Sequence, residues 1–360
     1  MNTITKSTMK IVLTGGGTAG HVTPNIALLP ELRARGFDIY YIGSKGGMEQ
    51  ALVEGAGVPY HGISSGKLRR YLSIKNVTDG FRVLRGISEA RKILKKIRPD
   101  VVFSKGGFVV VPVVLAARML KIPVVIHESD FSVGLANRLA IPRANKVCCV
   151  FPETLKQIPA GKAVLTGTPI RKEILSGSRL AGAAACGFAV EKPVVLVMGG
   201  SQGAAAINTR LRDGLDELLP DFNIVHGCGK GNVDEAASRE GYLQFEYIDG
   251  NMGDIYALSD LVVCRAGSNS ISEFLALAKP NLLIPLPKAV SRGDQILNAA
   301  SFEKQGFSAV LDEAAMTKET LIAKIREVYA ERGKYAATMR KSGNVDGTAQ
   351  VVEVILGVKE

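Results

Sequence analysis

The chain contains two series of short apolar runs that alternate with amphipathic segments, and a glycine-rich turn follows the first run of each series. The first series comprises Lys10–Leu13, Asp38–Ile42, Asp100–Phe103, Val124–Ile126, Lys146–Cys149 and Ala163–Leu165. The second comprises Pro193–Met198, Asn223–His226, Gln244–Tyr247, Leu261–Cys264, Asn281–Ile284 and Ser308–Leu311. Strands that alternate with helices predict βαβ units, and apolar runs without polar alternation predict parallel strands covered on both faces. We therefore expect an α/β protein with two Rossmann-like parallel-sheet domains.

The boundary between the two series is predicted near Pro169, just before a glycine- and alanine-rich stretch at 176–187. An N-terminal domain is expected over 1–169 and a C-terminal domain over 170–345. The helices expected between the strands include Asn25–Arg35 and Ile87–Ile97. The segment 346–360 contains a predicted helix, Thr348–Leu356, which we expect to pack back on the first domain, although the pattern alone allows either domain.

The charge of the chain is uneven. Among 360 residues the net charge is +11, and residues 1–170 carry 24 basic and 10 acidic side chains against 21 and 24 in the remainder. This distribution excludes a uniformly basic nucleic-acid coat protein, and 46% hydrophobic residues exclude a disordered chain. The five cysteines form no CxxC pair, which is typical of reduced cytosolic thiols. Residues 1–10 lack the apolar core of a secretory signal, and the longest apolar run, 108–117, is too short to span a bilayer.

The basic excess is concentrated in Lys67–Arg98, which carries eleven basic and two acidic residues between apolar ones. Such a segment predicts docking to an anionic lipid surface, where each cation contributes about 1 kcal/mol. The alternative is a solvated helix face with ordinary core positions. The candidate docking residues are Arg69, Arg70, Leu72, Ile74, Lys75, Phe81, Arg82, Leu84 and Arg85.

The first glycine-rich turn has the spacing G-x-G-x-x-G at Gly15, Gly17 and Gly20, directly after a strand. A dinucleotide site requires an acid at the end of the next strand, and Tyr41–Lys45 has none, so no nicotinamide cofactor is expected. The turn is instead expected to offer backbone N–H groups to a polar or anionic ligand. His21 stands at the following helix start, where the helix dipole favours a neutral ring suited to a general base. Alternatively, His21 only hydrogen-bonds a neighbouring carbonyl.

Two further turns of the first half follow strands. Ser104–Phe108 contains a glycine pair beside Lys105, and it is either a ligand contact or only a tight turn. His127–Asp130 places polar side chains at the carboxyl end of a strand, where open α/β sheets bind ligands, or it is a solvated loop with a helix cap.

The second half carries three comparable features. Gly199–Ala204 resembles a phosphate cradle without the GK[ST] of a P-loop. The segment Arg265–Glu273 places a glycine and three hydroxyl side chains at a helix start. Glu273 either accepts hydrogen bonds from two adjacent sugar hydroxyls or forms a capping box with Ser270. Gln295 and Asn298 share one helix face and suit sugar hydroxyls, unless they are ordinary surface residues.

The chain contains no D-x-D, no HExxH and no Cys/His cluster, so no metal site is expected. A bound diphosphate would then be neutralised by helix N-termini and by Arg171.

Eight motifs together resemble the MurG-type family of bacterial peptidoglycan glycosyltransferases, from about Lys10 to Leu356. In chain order they are GGGTAGH, SKGGFVVVP, HESD…GLANR, GTPIR, GGSQGA, YIDGNM, CRAGSNSISE and DQILNA. The resemblance implies the GT-B fold with an interdomain cleft and metal-independent, inverting transfer without a cofactor. The implied substrates are UDP-N-acetylglucosamine and lipid I, whose muramyl 4-hydroxyl receives the sugar to give lipid II. The implied location is peripheral, on the cytoplasmic face of the cell membrane, with no nucleic-acid partner.

The resemblance also implies residue roles. His21 is the expected base and Glu128 the alternative. Donor contacts are implied for Thr18, Ala19, Gly20, Asp130, Arg171, Ser201, Ile248, Ser268, Asn269, Ser270, Glu273, Gln295 and Asn298. Acceptor contacts are implied for Gly16, Gly17, Lys105, Gly106, Gly107 and Phe108. The chain departs from the family at Asp130, since HESD stands where HEQN is frequent, and an anion replaces an amide.

Two other functions remain open from the residues. A UDP-N-acetylglucosamine 2-epimerase shares the double-Rossmann architecture and the nucleotide sugar, but it needs neither a lipid acceptor nor a basic apolar segment. A non-catalytic nucleotide-sensing or nucleic-acid-binding protein would account for the basic charge. It would not account for a glycine-rich turn in each half of the chain, or for the two amides, Gln295 and Asn298, on one helix face.

Overall fold

The computed structural model describes residues 8–66, 75–200, 203–248, 250–343 and 346–358, with the backbone alone for 75–80. The chain divides into two compact units. Unit 1 is Met1–Arg171 together with Asp346–Glu360, and unit 2 is Lys172–Val345.

Within the described residues, unit 1 contains one all-parallel sheet in the order β3-β2-β1-β4-β5-β6-β7. Its strands are β1 Met9–Thr14, β2 Phe37–Ser44, β3 Tyr60–Ile63, β4 Val101–Ser104, β5 Val124–Glu128, β6 Lys146–Cys149 and β7 Ala163–Leu165. Its helices are α1 Thr23–Ala34, α2 Glu49–Gly55, α3 Lys75–Ile97, α4 Val110–Met119, α5 Leu135–Ala140, α6 Pro152–Leu155 and, after unit 2, α16 Thr348–Gly357. Short 3-10 turns span Ala19–His21 and Ile141–Arg143.

Each face of this sheet is buried by its own apolar cluster. Successive side chains of a strand point to opposite faces, so Ile11 and Leu13 pack in one cluster and Val12 in the other. Val351 and Ile355 of α16 pack in the cluster of Ile11, together with residues of α1. The central strands are mainly apolar because both faces of the sheet are covered, as in other parallel sheets.

Unit 2 repeats this architecture. Its described strands form a second all-parallel sheet in the order β10-β9-β8-β11-β12-β13. The strands are β8 Val194–Met198, β9 Asn223–Gly227, β10 Tyr242–Phe245, β11 Leu261–Cys264, β12 Asn281–Leu283 and β13 Ala309–Val310. The helices are α7 Lys172–Leu175, α8 Arg179–Cys186, α9 Ala205–Asp213, α10 Leu215–Leu218, α11 Met252–Leu258, α12 Ser268–Ala276, α13 Asp294–Lys304, α14 Lys318–Ala330 and α15 Arg332–Lys341. Short 3-10 turns span Glu235–Ala237 and Glu313–Ala315.

The predicted fold class is confirmed, and three local predictions need correction. The edge strand β3 was not expected, because His61 and Gly62 interrupt its apolar pattern. Helix α3 begins at Lys75, well before the expected Ile87. Strand β10 lies two residues earlier than Gln244–Tyr247, where Tyr242 is the buried residue of the strand.

Candidate active site

The turn after β1 directs backbone N–H groups at acceptors of the chain itself. Gly16 N donates to the Gly106 carbonyl oxygen at 3.3 Å, and Gly17 N donates to Glu49 Oε2 at 3.3 Å. The Glu49 carboxylate is fully buried, and its Oε1 accepts from Ser44 N at 2.8 Å. The N–H groups of Gly16 and Gly17 are therefore not bare, because each already donates to an acceptor of the chain itself.

Glu49 is a residue that sequence reasoning missed. It follows β2 by five positions, so it does not occupy the strand end where a dinucleotide fold carries its acid. A Cβ at Gly16 would clash with the Glu49 carboxylate, so any other residue there would require that carboxylate to move. The one signal in the sequence is an acid shortly after a glycine pair, Gly46–Gly47.

His21 lies at the end of the 3-10 turn with its ring against the same loop. Its Nδ1 is 3.0 Å from the Gly16 carbonyl oxygen and 3.1 Å from Thr18 Oγ1. Because a carbonyl oxygen only accepts, Nδ1 carries the proton, and in the neutral ring Nε2 is the basic nitrogen. A Cβ on Gly106 would lie 3.5 Å from Nε2, so glycine keeps the space beside this nitrogen open. This geometry suits a general base. The hydrogen bond from Nδ1 to the Gly16 carbonyl also agrees with the alternative, in which His21 only hydrogen-bonds a neighbouring carbonyl.

The backbone of the turn after β4 packs directly against the backbone of the turn after β1. Gly106 and Gly107 have φ values of 114° and 87°, a region that L side chains rarely adopt. A Cβ on Gly107 would clash with the carbonyl oxygen of Gly16. Strands β1 and β4 are neighbours in the sheet, so their carboxyl ends bring together Gly16, Gly106 and His21. Phe108 is half-buried beside them.

Lys105 precedes this glycine pair and is buried. Its side chain is 1% exposed, and Nζ donates to Ser129 Oγ at 2.7 Å. Burial lowers the pKa of Lys105 to about 8, although the charges of Glu128 and Asp130 act in the opposite direction. The structure thus shows Lys105 as a buried cation beside two acids, and the departure at Asp130 adds a carboxylate next to that cation.

Glu128 anchors the chain that leads into α5. Its oxygens accept from Asp130 N at 3.1 Å, from Gly134 N at 2.9 Å and from Asn137 Nδ2 at 2.9 Å. Burial raises the pKa of Glu128, and Asp130 adds to the rise. Three N–H donors therefore hold this carboxylate, a geometry that resembles a helix cap more than a mobile base. His127 beside it is fully buried, and its Nε2 lies 2.9 Å from the Gly167 carbonyl oxygen.

In unit 2 the start of α12 carries the predicted hydroxyl-rich cluster. The N-cap is Gly267, so the capping box between Ser270 and Glu273 is wrong, because Ser270 already lies inside the helix. Ser268 and Asn269 occupy the first turn, where N–H groups lack intrahelical acceptors. Glu273 is half-buried, and its Oε2 accepts from Tyr256 Oη at 3.0 Å.

Gln295 and Asn298 of α13 hold neighbouring backbone. Gln295 Oε1 accepts from Leu286 N at 3.0 Å. Asn298 is fully buried, and its Nδ2 donates to the Ala266 carbonyl oxygen at 3.2 Å. The two amides are therefore not ordinary surface residues, and Asn298 supports the turn that precedes α12.

The turn between β8 and α9 leads to a helix whose N-cap, Ala204, has no side-chain acceptor. Gly200 and Gly203 have φ values of 84° and 74°, and a Cβ on Gly203 would clash with the Cys228 carbonyl oxygen. The predicted Ser201 lies outside the described residues. Ile248 is half-buried, and its Cδ1 would lie 3.7 Å from a Cβ on Gly227 at the end of β9.

Arg171 is the last residue of the first segment of unit 1. It is half-buried, and its buried Nε has no hydrogen-bond partner in the structure. A guanidinium in this state is suited to an added acceptor such as a phosphate oxygen.

From Phe81, where its side chains are first described, α3 exposes apolar and basic side chains together. Phe81 and Leu84 are 70% and 64% exposed. Arg82 is exposed beside them, and Arg85 Nε lies 3.1 Å from Glu89 Oε1. Arg69, Arg70, Leu72 and Ile74 lie outside the described residues, as does the side chain of Lys75. No described helix is long and apolar enough to cross a membrane.

Comparison with known sequences identifies the family. Residues 11–149 match the glycosyltransferase family 28 N-terminal domain, and residues 194–354 match the glycosyltransferase family 28 C-terminal domain. The chain belongs to glycosyltransferase family 28. A family 28 relative from Lachnospira eligens is 57% identical over 347 residues, which are 96% of this chain and 98% of the relative. Its name is UDP-N-acetylglucosamine–N-acetylmuramyl-(pentapeptide) pyrophosphoryl-undecaprenol N-acetylglucosamine transferase.

Two solved structures have the same fold. Acinetobacter baumannii MurG has a TM-score of 0.77 at 27% identity, covering 97% of this chain and 99% of that one. UDP-GlcNAc 2-epimerase from Neisseria meningitidis has a TM-score of 0.65 at 13% identity, covering 97% of this chain and 100% of that one. The family resemblance drawn from the ordered motifs is confirmed, and the identities favour a transferase over an epimerase.

Proposed function

We propose that this family 28 glycosyltransferase transfers N-acetylglucosamine from UDP-N-acetylglucosamine to lipid I, an undecaprenyl-diphosphate-linked muramyl pentapeptide, to give lipid II. The proposal rests on the relative from Lachnospira eligens, which is named as the transferase for this reaction and is 57% identical over 96% of this chain. The glycine turns, the buried polar groups behind them and the hydroxyl-rich start of α12 are consistent with it.

The reaction is a single displacement with inversion. The 4-hydroxyl oxygen of the muramyl sugar forms a bond to the anomeric carbon, and the bond from that carbon to the UDP oxygen breaks with its electron pair. The hydroxyl proton passes to a base as the new bond forms. His21 Nε2 is the proposed base, because the Gly16 carbonyl holds the proton on Nδ1. Glu128 is the weaker candidate, because three N–H groups already bind its oxygens.

The donor is assigned mainly to unit 2. The leaving diphosphate gains negative charge, which the N-termini of α9 and α12 would stabilise together with Arg171. Glu273 would accept from the ribose hydroxyls, and the backbone at Ile248 would bind uracil. Gln295 and Asn298 are proposed to serve the N-acetylglucosamine hydroxyls, through direct contact or through the backbone they hold.

The acceptor and the membrane are assigned to unit 1. The turns around Gly16 and Gly106 meet beside His21, so a sugar hydroxyl placed there is near the proposed base. Phe81 and Leu84 would insert shallowly between lipids, while Arg82 and Arg85 attract anionic headgroups.

Transfer of labelled N-acetylglucosamine to a short-chain lipid I analogue tests the proposed reaction. We expect labelled lipid II and one UDP per transfer, with unchanged rates in EDTA. UDP-N-acetylmannosamine formed without any acceptor would instead show an epimerase. Absence of both products would contradict the proposed activity.

Co-sedimentation with vesicles tests the docking surface. Arg82→Glu with Arg85→Glu should weaken binding to vesicles rich in phosphatidylglycerol by at least about thirtyfold, since two cations are lost at about 1 kcal/mol each and the new carboxylates are repelled. The matched control is Arg332→Glu with Lys334→Glu on α15, which should bind as the unchanged chain does. Unchanged binding of the α3 variant would contradict membrane docking through this surface.

A further inference from the structure

Tyr256 lies on α11 and reaches the carboxylate that the proposed function assigns to the ribose. Its side chain is 2% exposed, and its Oη donates to Glu273 Oε2 at 3.0 Å. Its ring packs edge-on against Phe274, with ring centroids 5.7 Å apart and an interplanar angle of 90°. A buried and sterically held phenol therefore donates to a half-buried carboxylate on the neighbouring helix.

The helix that carries Tyr256 is itself held by close backbone contacts. A side chain at Gly177 would clash with the Gly253 carbonyl oxygen, and one at Gly253 would clash with the carbonyl oxygen of Glu173. Asp254 Oδ1 accepts from Ser178 N at 2.7 Å. Helix α11 begins four residues after Ile248, so one anchored element connects the proposed uracil-binding turn with the donor to Glu273.

We propose that Tyr256 is a positioning residue for the ribose, because its phenol holds the Glu273 carboxylate in the orientation that accepts from both ribose hydroxyls. A glutamate has three side-chain torsions, and fixing them when the nucleotide binds costs conformational entropy. A hydrogen bond to a rigid donor orders the glutamate side chain before the nucleotide binds, so less conformational entropy is lost on binding. The inference rests on the proposed function, in which Glu273 binds the ribose.

Calorimetric titration of the full chain with UDP and with 2′,3′-dideoxy-UDP tests this role. The variants are Tyr256→Phe, Glu273→Ala and the two combined. Tyr256→Phe keeps the ring and removes only the hydroxyl. The matched control is Tyr242→Phe, because Tyr242 Oη also forms a buried hydrogen bond, at 2.7 Å to His226 Nδ1, but at the amino end of β10.

We expect Tyr256→Phe to weaken UDP binding by about tenfold and to leave dideoxy-UDP binding unchanged, as for the loss of one hydrogen bond to a charged group. In the Glu273→Ala background the same change should have no effect on either ligand. The control should lower the melting temperature without changing the preference for UDP.

Two results would overturn the inference, and they are distinguishable. If Glu273→Ala loses the preference for UDP but Tyr256→Phe keeps it, Tyr256 does not position the carboxylate. If Glu273→Ala keeps the preference, Glu273 does not bind the ribose, and that part of the proposed function fails as well.

Discussion

The carboxyl edges of the two sheets carry similar glycine-rich turns with different surroundings. In unit 1 the turn after β1 is backed by the buried carboxylate of Glu49, and the segment after β5 folds around the buried carboxylate of Glu128. In unit 2 the helices after β8 and β11 have Ala204 and Gly267 as their N-cap residues, and neither residue has a side chain that can cap a helix.

The difference shows that a glycine motif does not by itself define its ligand. A turn whose N–H groups already donate to a carboxylate of the protein is poorly suited to a second anion, and it suits a neutral hydroxyl. A helix start without a side-chain cap retains the partial positive charge that favours a diphosphate. Helices α1, α4 and α5 of unit 1 also have no side-chain cap, so the contrast rests on the buried carboxylates of unit 1. Those carboxylates agree with an acceptor hydroxyl on unit 1 and leave the diphosphate to the helix N-termini of unit 2.

The largest effect is expected at the proposed base. His21→Ala should lower kcat by about 10²–10⁴-fold, the usual contribution of a general base, and should remove the acidic limb of the pH–rate profile. His61→Ala on the edge strand β3 is the control and should leave kcat unchanged. A near wild-type kcat with an unchanged pH profile would remove His21 from this role.

The carboxylate behind the first turn should affect stability and rate together. Glu49→Gln replaces one acceptor oxygen by an amide NH₂ group that faces another N–H donor. We therefore expect the free energy of unfolding of unit 1 to fall by about 3 kcal/mol. We also expect a lower kcat with an unchanged KM for the donor, because the Gly16 carbonyl that orients His21 belongs to the same turn. Glu54→Gln, on the exposed side of α2, is the control in calorimetric melting and steady-state assays. Wild-type values for Glu49→Gln would show that the carboxylate does not organise the turn.

A pair of glycine substitutions compares the two turns directly. Gly17 and Gly203 both have positive φ, so alanine at either should cost about 1 kcal/mol of backbone strain. At Gly203 the added Cβ also clashes with the Cys228 carbonyl oxygen, whereas at Gly17 it meets open space. Gly203→Ala should therefore melt lower and bind UDP more weakly than Gly17→Ala. Equal effects on both measurements would contradict the comparison.

The smallest expected effect concerns the buried lysine. The pKa of Lys105 is about 8 in the folded chain and 10.5 as its ordinary value, so between these values the unfolded state binds more protons and stability rises with pH. Lys105→Met removes this contribution, and the wild type should gain about 1 kcal/mol relative to the variant between pH 8 and 9. Lys92→Met on the exposed face of α3 is the control. A stability difference that does not change over this interval would show that the ammonium is not buried as described.

The fold was predictable because its strands are buried on both faces and therefore stand out as apolar runs. Strands β1, β4 and β11 lie where the sequence predicts them. Edge strand β3 is less visible, because three of its four residues are only partly buried and the selection for apolar side chains is weaker there. The segment of α3 around Phe81 and Leu84 was missed for a similar reason, because these apolar side chains are exposed and do not mark a buried helix face.

The candidate site was only partly predictable, because its decisive contacts join residues that are distant in sequence. The turns and His21 follow from local motifs. Buried Lys105 donates to Ser129, and Gly17 donates to Glu49, and a local sequence pattern reveals neither hydrogen bond. Tyr256 is equally hidden, because an aromatic residue in a short helix usually indicates only core packing.

Hydrogen–deuterium exchange of the full chain with and without UDP tests the division between the two units most directly. Peptides that contain the turn between β8 and α9 and the start of α12 should gain protection on UDP binding, and they should show larger changes than the peptide that contains Gly15–His21. Protection of the Gly15–His21 peptide with unchanged exchange in the two unit 2 peptides would contradict the placement of the diphosphate on unit 2.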